Sequence, residues 1–94
     1  MKPVGELVID EGAVNALFSG KSLLPAGVLI VRKDFERGDA VSILNTKGEV
    51  WGLGLCAYSS DEVSSIMGHQ TSEIEEILGY AGRGVIVHRD NIAF

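Results

Sequence analysis

Apolar positions along the chain fall in short runs divided by glycine, proline and small polar residues, and each run carries the period of one element. Glu6-Leu7-Val8-Ile9 reads as a strand, and Asp10 then offers a side-chain oxygen to cap a helix over 12–19 that Gly20 stops. Val14, Leu17 and Phe18 recur at i, i+3 and i+4, so that helix has one apolar face to lay on a sheet. After a loop over Lys21-Ser22-Leu23-Leu24-Pro25-Ala26-Gly27, the continuous run Val28 to Val31 predicts a strand buried on both faces. Asp34 to Asp39 is a polar turn, Val41, Ile43 and Leu44 make the next strand, and Asn45 to Gly48 closes a hairpin.

Glu49 to Tyr58 is the longest extended stretch, and Gly52 and Gly54 within it point to a bend or a close approach of another backbone. Ser59 and Glu62 have the spacing of a capping box before the stripe Val63, Ile66, Met67, and Gly68 ends that helix. Ser72 and Glu75 repeat the spacing before a last helix whose buried side is Ile74, Ile77 and Leu78, ending at Gly79. Val85-Ile86-Val87 closes as a strand. The order β, α, several β, α, α, β, without a repeat or a low-complexity linker, predicts a mixed α+β domain on a small curved sheet, specifically a pseudo-barrel with flanking short helices.

With 94 residues there is room for one domain and one small core. Eight Lys and Arg against thirteen Asp and Glu give a formal charge of −5, which disfavours strong non-specific binding to a phosphate backbone. It does not forbid a local basic patch, because a ligand responds to the field over one face. A single cysteine, Cys56, excludes an intramolecular disulfide and fits a reducing cytoplasm. The longest apolar run, 27–31, is far below the roughly 20 residues of a spanning helix. Met1-Lys2-Pro3 leads into strand-like sequence with no apolar signal core.

Candidate chemistry is sparse. Gly52-Leu53-Gly54-Leu55-Cys56-Ala57 has the spacing of a dinucleotide fingerprint, but it lies inside an extended run with no helix start behind it, so a bent strand is the better account. His88-Arg89-Asp90-Asn91 resembles part of a protein-kinase catalytic loop, yet Asn follows Asp directly and no phosphate-binding lysine loop accompanies it. Cys56, His69 and His88 have no metal-ligand spacing, so no metal is expected, and Cys56 reads as a small buried hydrophobe. Glu73, Glu75 and Glu76 suit the first turn of a helix. The basic residues Lys2, Lys21, Arg32, Lys33, Arg37, Lys47, Arg83 and Arg89 are scattered. Lys21, Arg32, Lys33 and Arg89 would form a phosphate-contacting patch only if the fold gathered them, with backbone amides near Gly20 and Gly27.

Several segments together carry a family likeness: Asp10-Glu11-Gly12-Ala13, the Lys21 to Gly27 loop, Phe35-Glu36-Arg37-Gly38-Asp39-Ala40-Val41 and Gly54-Leu55-Cys56-Ala57-Tyr58-Ser59-Ser60. With these the chain resembles a PUA domain over about residues 6–91. The segments Ser72 to Tyr80 and His88 to Asn91 make it most similar to the module at the C-terminal end of bacterial glutamate 5-kinases. The resemblance implies a pseudo-barrel taken from a larger enzyme, with ATP and Mg belonging to a separate kinase domain that phosphorylates glutamate in proline synthesis. It implies no catalytic residue, cofactor or metal in this domain. It implies partners in the kinase domain of the same polypeptide or in other subunits, and a cytoplasmic setting. RNA-binding members of the family map their contact face here onto Gly20, Lys21, Ser22, Gly27, His88 and Arg89.

Overall fold

The computed structural model describes residues 2–80, 82 and 84–94. Five strands form one mixed sheet in the order β2-β1-β3-β4-β5: β1 (Gly5–Ile9), β2 (Val28–Arg32), β3 (Ala40–Leu44), β4 (Val50–Leu55) and β5 (Ile92–Ala93). The β1–β3 pair is parallel and the others are antiparallel. Helices α1 (Glu11–Phe18), α2 (Ser60–Ile66) and α3 (Ile74–Leu78) flank the sheet. The expected α+β architecture is therefore present. Closure comes from outside the named strands. Ile86 donates its N–H to the Leu23 carbonyl at 2.7 Å, Leu23 donates to Val87 O at 2.9 Å, and Ala57 donates to Ile86 O at 2.8 Å. One short segment thus ties the chain before β2 to the chain after β4, and Ile86 and Val87 are fully buried where it crosses.

Local chemistry explains the element ends. The Asp10 carboxylate accepts the Ala13 N–H at 2.7 Å, the N-cap its position predicts. Ser59 and Glu62 form the predicted capping box, with Glu62 Oε1 accepting the Ser59 N–H at 2.9 Å and Ser59 Oγ the Glu62 N–H at 3.3 Å. In the β3–β4 hairpin, Asn45 Oδ1 accepts the N–H groups of Lys47 and Glu49, and Gly48 takes a left-handed φ of 83°. Gly52 and Gly54 fulfil the expected close approach: a Cβ would lie 2.8 Å from Ala93 O at the first and 2.6 Å from Val87 Cγ1 at the second. The fingerprint-like glycines let the end of the chain lie against β4.

Four expectations give way. The run Val28–Val31 is an edge strand: Val28 is buried, but Leu29 and Ile30 are exposed. The strand buried throughout is β3, in the middle of the sheet, every residue of which is covered. Apolar continuity reported strand formation and not position in the sheet, because α2 covers β2 while its outer edge stays open. Val85-Ile86-Val87 contributes a single bridge, Leu23 to Val87, since it bonds to chain segments on two sides and not along one strand. The last helix starts differently as well. A 3-10 turn, Thr71–Glu73, precedes α3, and Glu73 Oε1 accepts the Gln70 N–H at 3.0 Å, so the capping pair is Gln70 and Glu73 in place of Ser72 and Glu75. Ile77 is exposed, while Ile74 is buried.

Candidate functional site

Among the described residues, two concavities take up expected contact residues: Lys21, Ser22 and Gly27 line one and His88 the other. The first is built by the end of α1 and the loop after it. Gly20 donates to Leu17 O at 3.0 Å with φ at 80°, and Lys21 donates to Ala16 O at 3.0 Å, the paired bonds of a Schellman motif. That motif turns Lys21 and Ser22 off the helix axis. Proline and the tight Pro25–Gly27 turn then bring the chain back onto α1, where a Cβ on Gly27 would meet Ala13 Cβ at 2.6 Å. Asp10 seals the return by donating its N–H to Gly27 O at 2.9 Å. The result is a groove of about 410 Å³ lined by small residues, with Lys21 and Asp10 at its polar margins.

Across the Leu23–Val87 bridge, Ser22 Oγ accepts the Arg89 N–H at 2.9 Å. Gly20, Lys21, Ser22, Gly27 and Arg89 are therefore neighbours in this region. His88 is the departure: it caps the turn Arg89–Asn91, its Nδ1 accepting the Asp90 N–H at 3.1 Å, and it lines the second concavity. The other basic candidates are not gathered here. Arg32 faces Glu6 at 3.6 Å at the opposite end of β2, roughly 13 Å from Val28 at the rise of a strand. Lys33 follows it in a left-handed conformation with φ 67°. Arg83 lies outside the described residues.

The second concavity, of about 610 Å³, is assembled from residues remote in sequence: Arg37 and Gly38, Leu55 to Tyr58, Tyr80, Gly82, Val85, His88 and Asn91. At its margin Glu62, largely covered, joins Arg37 and Tyr80. Arg37 Nε donates to Glu62 Oε1 at 2.8 Å, Arg37 Nη2 and the Tyr80 hydroxyl both donate to Glu62 Oε2, and the guanidinium stands 5.5 Å from the Tyr80 ring centre. The Arg37 guanidinium and these hydrogen bonds hold the Glu62 carboxyl well below the usual carboxylate range, and Glu62 in turn raises Arg37 and Tyr80. Burial pushes the Cys56 thiol up to about 11, so at neutral pH it is a protonated, apolar wall and not a nucleophile. Among the described residues no group of three His, Cys, Asp or Glu side chains is placed to hold a metal ion.

Of the contact face that the resemblance implies, Lys21, Ser22 and Gly27 line the groove and His88 lines the cavity. Glu62 was visible only as a capping residue, Arg37 only as a turn residue, and Tyr80 and Asn91 only as parts of motifs. Nothing in their spacing announces that they meet.

Comparison with known proteins decides the family. The model of the family described as PUA domain matches residues 5–78. The chain belongs to the PUA domain family. Among curated proteins it is similar to glutamate 5-kinase of Paramagnetospirillum magneticum, 52% identical over 98% of this chain and 25% of that protein, and to glutamate 5-kinase of Ruegeria sp., 50% identical over 99% and 25%. It spans about a quarter of the length of these relatives. Among solved structures, a PUA domain from Aeropyrum pernix K1 in a tartrate complex matches with a TM-score of 0.65 and 27% identity, over 89% of this chain and 41% of that one. A chain of the archaeal box H/ACA sRNP Nop10–Cbf5 complex matches at 0.67 over 95% of this chain and 24% of that one, and its 24% identity bears on the fold alone. The PUA fold thus accounts for the curled sheet. No helix among the described residues is long and apolar enough to cross a membrane.

Proposed function

We propose that this PUA domain is the C-terminal module of a cytoplasmic glutamate 5-kinase, where it has a structural, regulatory or oligomerisation role and takes no part in the chemistry. The observation that carries this reading is the identity of about half over nearly the whole chain with proteins four times as long that share one name. In this reading ATP, Mg and glutamate belong to the remaining three quarters of the enzyme, and the domain's partners are that kinase portion and neighbouring subunits. The state of the polar groups agrees: Glu62 is committed to Arg37 and Tyr80, and the Cys56 thiol is held protonated. Neither is poised for proton transfer or attack near neutral pH. The test compares the full-length kinase with a version lacking this segment. The truncated enzyme should retain kcat for ATP-dependent phosphorylation of glutamate while its oligomeric state or regulation changes. Loss of kcat in a truncated enzyme whose circular dichroism shows it folded would overturn the reading.

A second reading, an RNA-binding module, is favoured by one contact, the Arg89–Ser22 hydrogen bond that brings Lys21 and Arg89 to the same region. Asp10 in the groove and the net charge of −5 oppose it. Titration with transfer RNA at low and moderate salt discriminates: saturable binding that weakens steeply with salt supports this reading, and the lack of any saturable signal removes it.

A further inference from the structure

The cavity between Arg37, Tyr80, His88 and Asn91 shares only His88 with the contact face of the second reading. Its volume, about 610 Å³, falls among those of small-molecule sites, and its lining has their composition: an apolar wall with a few polar groups at defined places. The wall is Leu55, Ala57 and Val85. Three of the polar lining groups, on Arg37, His88 and Asn91, can donate. Among the described residues the Asn91 side-chain amide has no hydrogen-bond partner, and Arg37 engages Glu62 through Nε and Nη2 and leaves Nη1 unengaged. Because His88 Nδ1 accepts the Asp90 N–H, the neutral ring carries its proton on Nε2, a further donor.

These donors are exposed and hydrated in the free protein, and, set beside carbon, they suit a ligand that brings oxygen acceptors on an apolar body. We propose that this cavity binds a small organic carboxylate. Inorganic phosphate would satisfy the donors but leave the Leu55 and Val85 wall uncovered. Recognition is by hydrogen bonding more than by field, because Glu62 neutralises Arg37 and Asp90 lies 3.5 Å from His88 Nδ1. Affinity is accordingly modest and only weakly dependent on salt. This inference stands independently of whether the domain is part of a glutamate 5-kinase.

The test is an amide-resolved NMR titration of the ¹⁵N-labelled 94-residue chain with glutarate, and in a parallel sample with inorganic phosphate. Glutarate should give saturable shifts at Gly38, Ala57, Val85 and Asn91 and leave the Trp51 indole and Gly27 unmoved, while phosphate leaves Leu55 and Val85 in place. Asn91→Ala removes a side chain with no protein hydrogen bond, so the spectrum should otherwise persist while the glutarate Kd rises about tenfold. Arg37→Lys should weaken binding too, although it also disturbs the Glu62 cluster. The proposal is overturned if no saturable shift occurs at the cavity amides, if shifts centre on Lys21 and Gly27, if phosphate reproduces the glutarate response, or if Asn91→Ala leaves the affinity unchanged.

Discussion

The groove beside α1 and the cavity beside Tyr80 differ in how the chain makes them. The groove is local: residues 10–27 supply a helix, its cap, its Schellman exit and the proline turn that folds back on it, and mainly small residues line its walls. The cavity is global: it needs the turn at Arg37, the end of β4, the chain after α3 and the turn at Asn91 to arrive together, and side chains make its contacts. A locally built surface is robust to distant change and legible in sequence. One assembled from four segments is neither, and disturbing any of them should be felt there.

Glycines at each place make the contrast measurable. At Gly82 a Cβ would lie 2.0 Å from the Tyr58 hydroxyl and 2.9 Å from Ile74 Cγ2, and Tyr58 and Ile74 are both buried side chains. Gly82→Ala is expected to destabilise the domain by about 3 kcal/mol in urea unfolding, at the upper end of overpacking costs, and to broaden or shift cavity amides while those of residues 10–27 hold. The alkaline limb comes next. Folding raises the Cys56 pKa from 9.0 to about 11, so the thiol favours the folded state fully below 9 and that stability is lost as pH climbs to 11. Two pH units at 1.36 kcal/mol each set the loss at about 3 kcal/mol as an upper bound. Cys56→Ala should flatten that part of the pH–stability curve, and an unchanged slope would show that the thiol is not the titrating group.

Gly27→Ala probes the groove and should cost less, about 1–2 kcal/mol, since the obstacle is the single methyl of Ala13 at 2.6 Å on a partly exposed helix face. Being local, the clash has a local remedy. The double variant Ala13→Gly with Gly27→Ala restores the space and should be as stable as Ala13→Gly alone, which carries only the penalty of about 1 kcal/mol for glycine inside a helix. A double variant that falls below Ala13→Gly by the full cost of Gly27→Ala would mean that the Gly27 backbone is needed for another reason.

Legibility in the sequence follows the same division. The N-cap Asp10, the stop at Gly20, the box of Ser59 and Glu62 and the hairpin at Asn45 to Gly48 are all set within a few residues, and all are found where the chain predicts them. The bridge from Leu23 to Val87 sets Arg89 beside Ser22, near Gly20, Lys21 and Gly27, while His88 turns to the cavity. What could not be read depends on the sheet as a whole. Val28 to Val31 is wholly apolar and Val41 to Leu44 holds Ser42, yet strand order leaves the first partly exposed and buries the second. Likewise Ile86 and Val87 look like a strand because they are buried, while their hydrogen bonds go to two separated segments. Arg37, Glu62 and Tyr80 are common surface residues in sequence and become a cluster only when α2 and the chain after α3 are in place.

The smallest expected effect isolates that cluster. Glu62 serves two masters: its Oε1 accepts the Ser59 N–H of its own helix cap, a local contact, and both oxygens accept from Arg37 or Tyr80, which are long-range. Folding lowers the Glu62 pKa, so its ionised form contributes stability that is complete above the unfolded value near 4.5 and is lost progressively as pH falls below it toward the folded value. Glu62→Gln keeps an acceptor for Ser59 but removes the charge, and should leave a protein whose stability is lower at neutral pH and flatter below pH 4.5. Comparing urea midpoints of the two proteins from pH 7 downward reads the difference directly: the curves should converge as the wild-type carboxyl protonates. Parallel curves would mean that the carboxylate's charge adds nothing, leaving the cap as the whole of its contribution and the cavity margin held by packing alone.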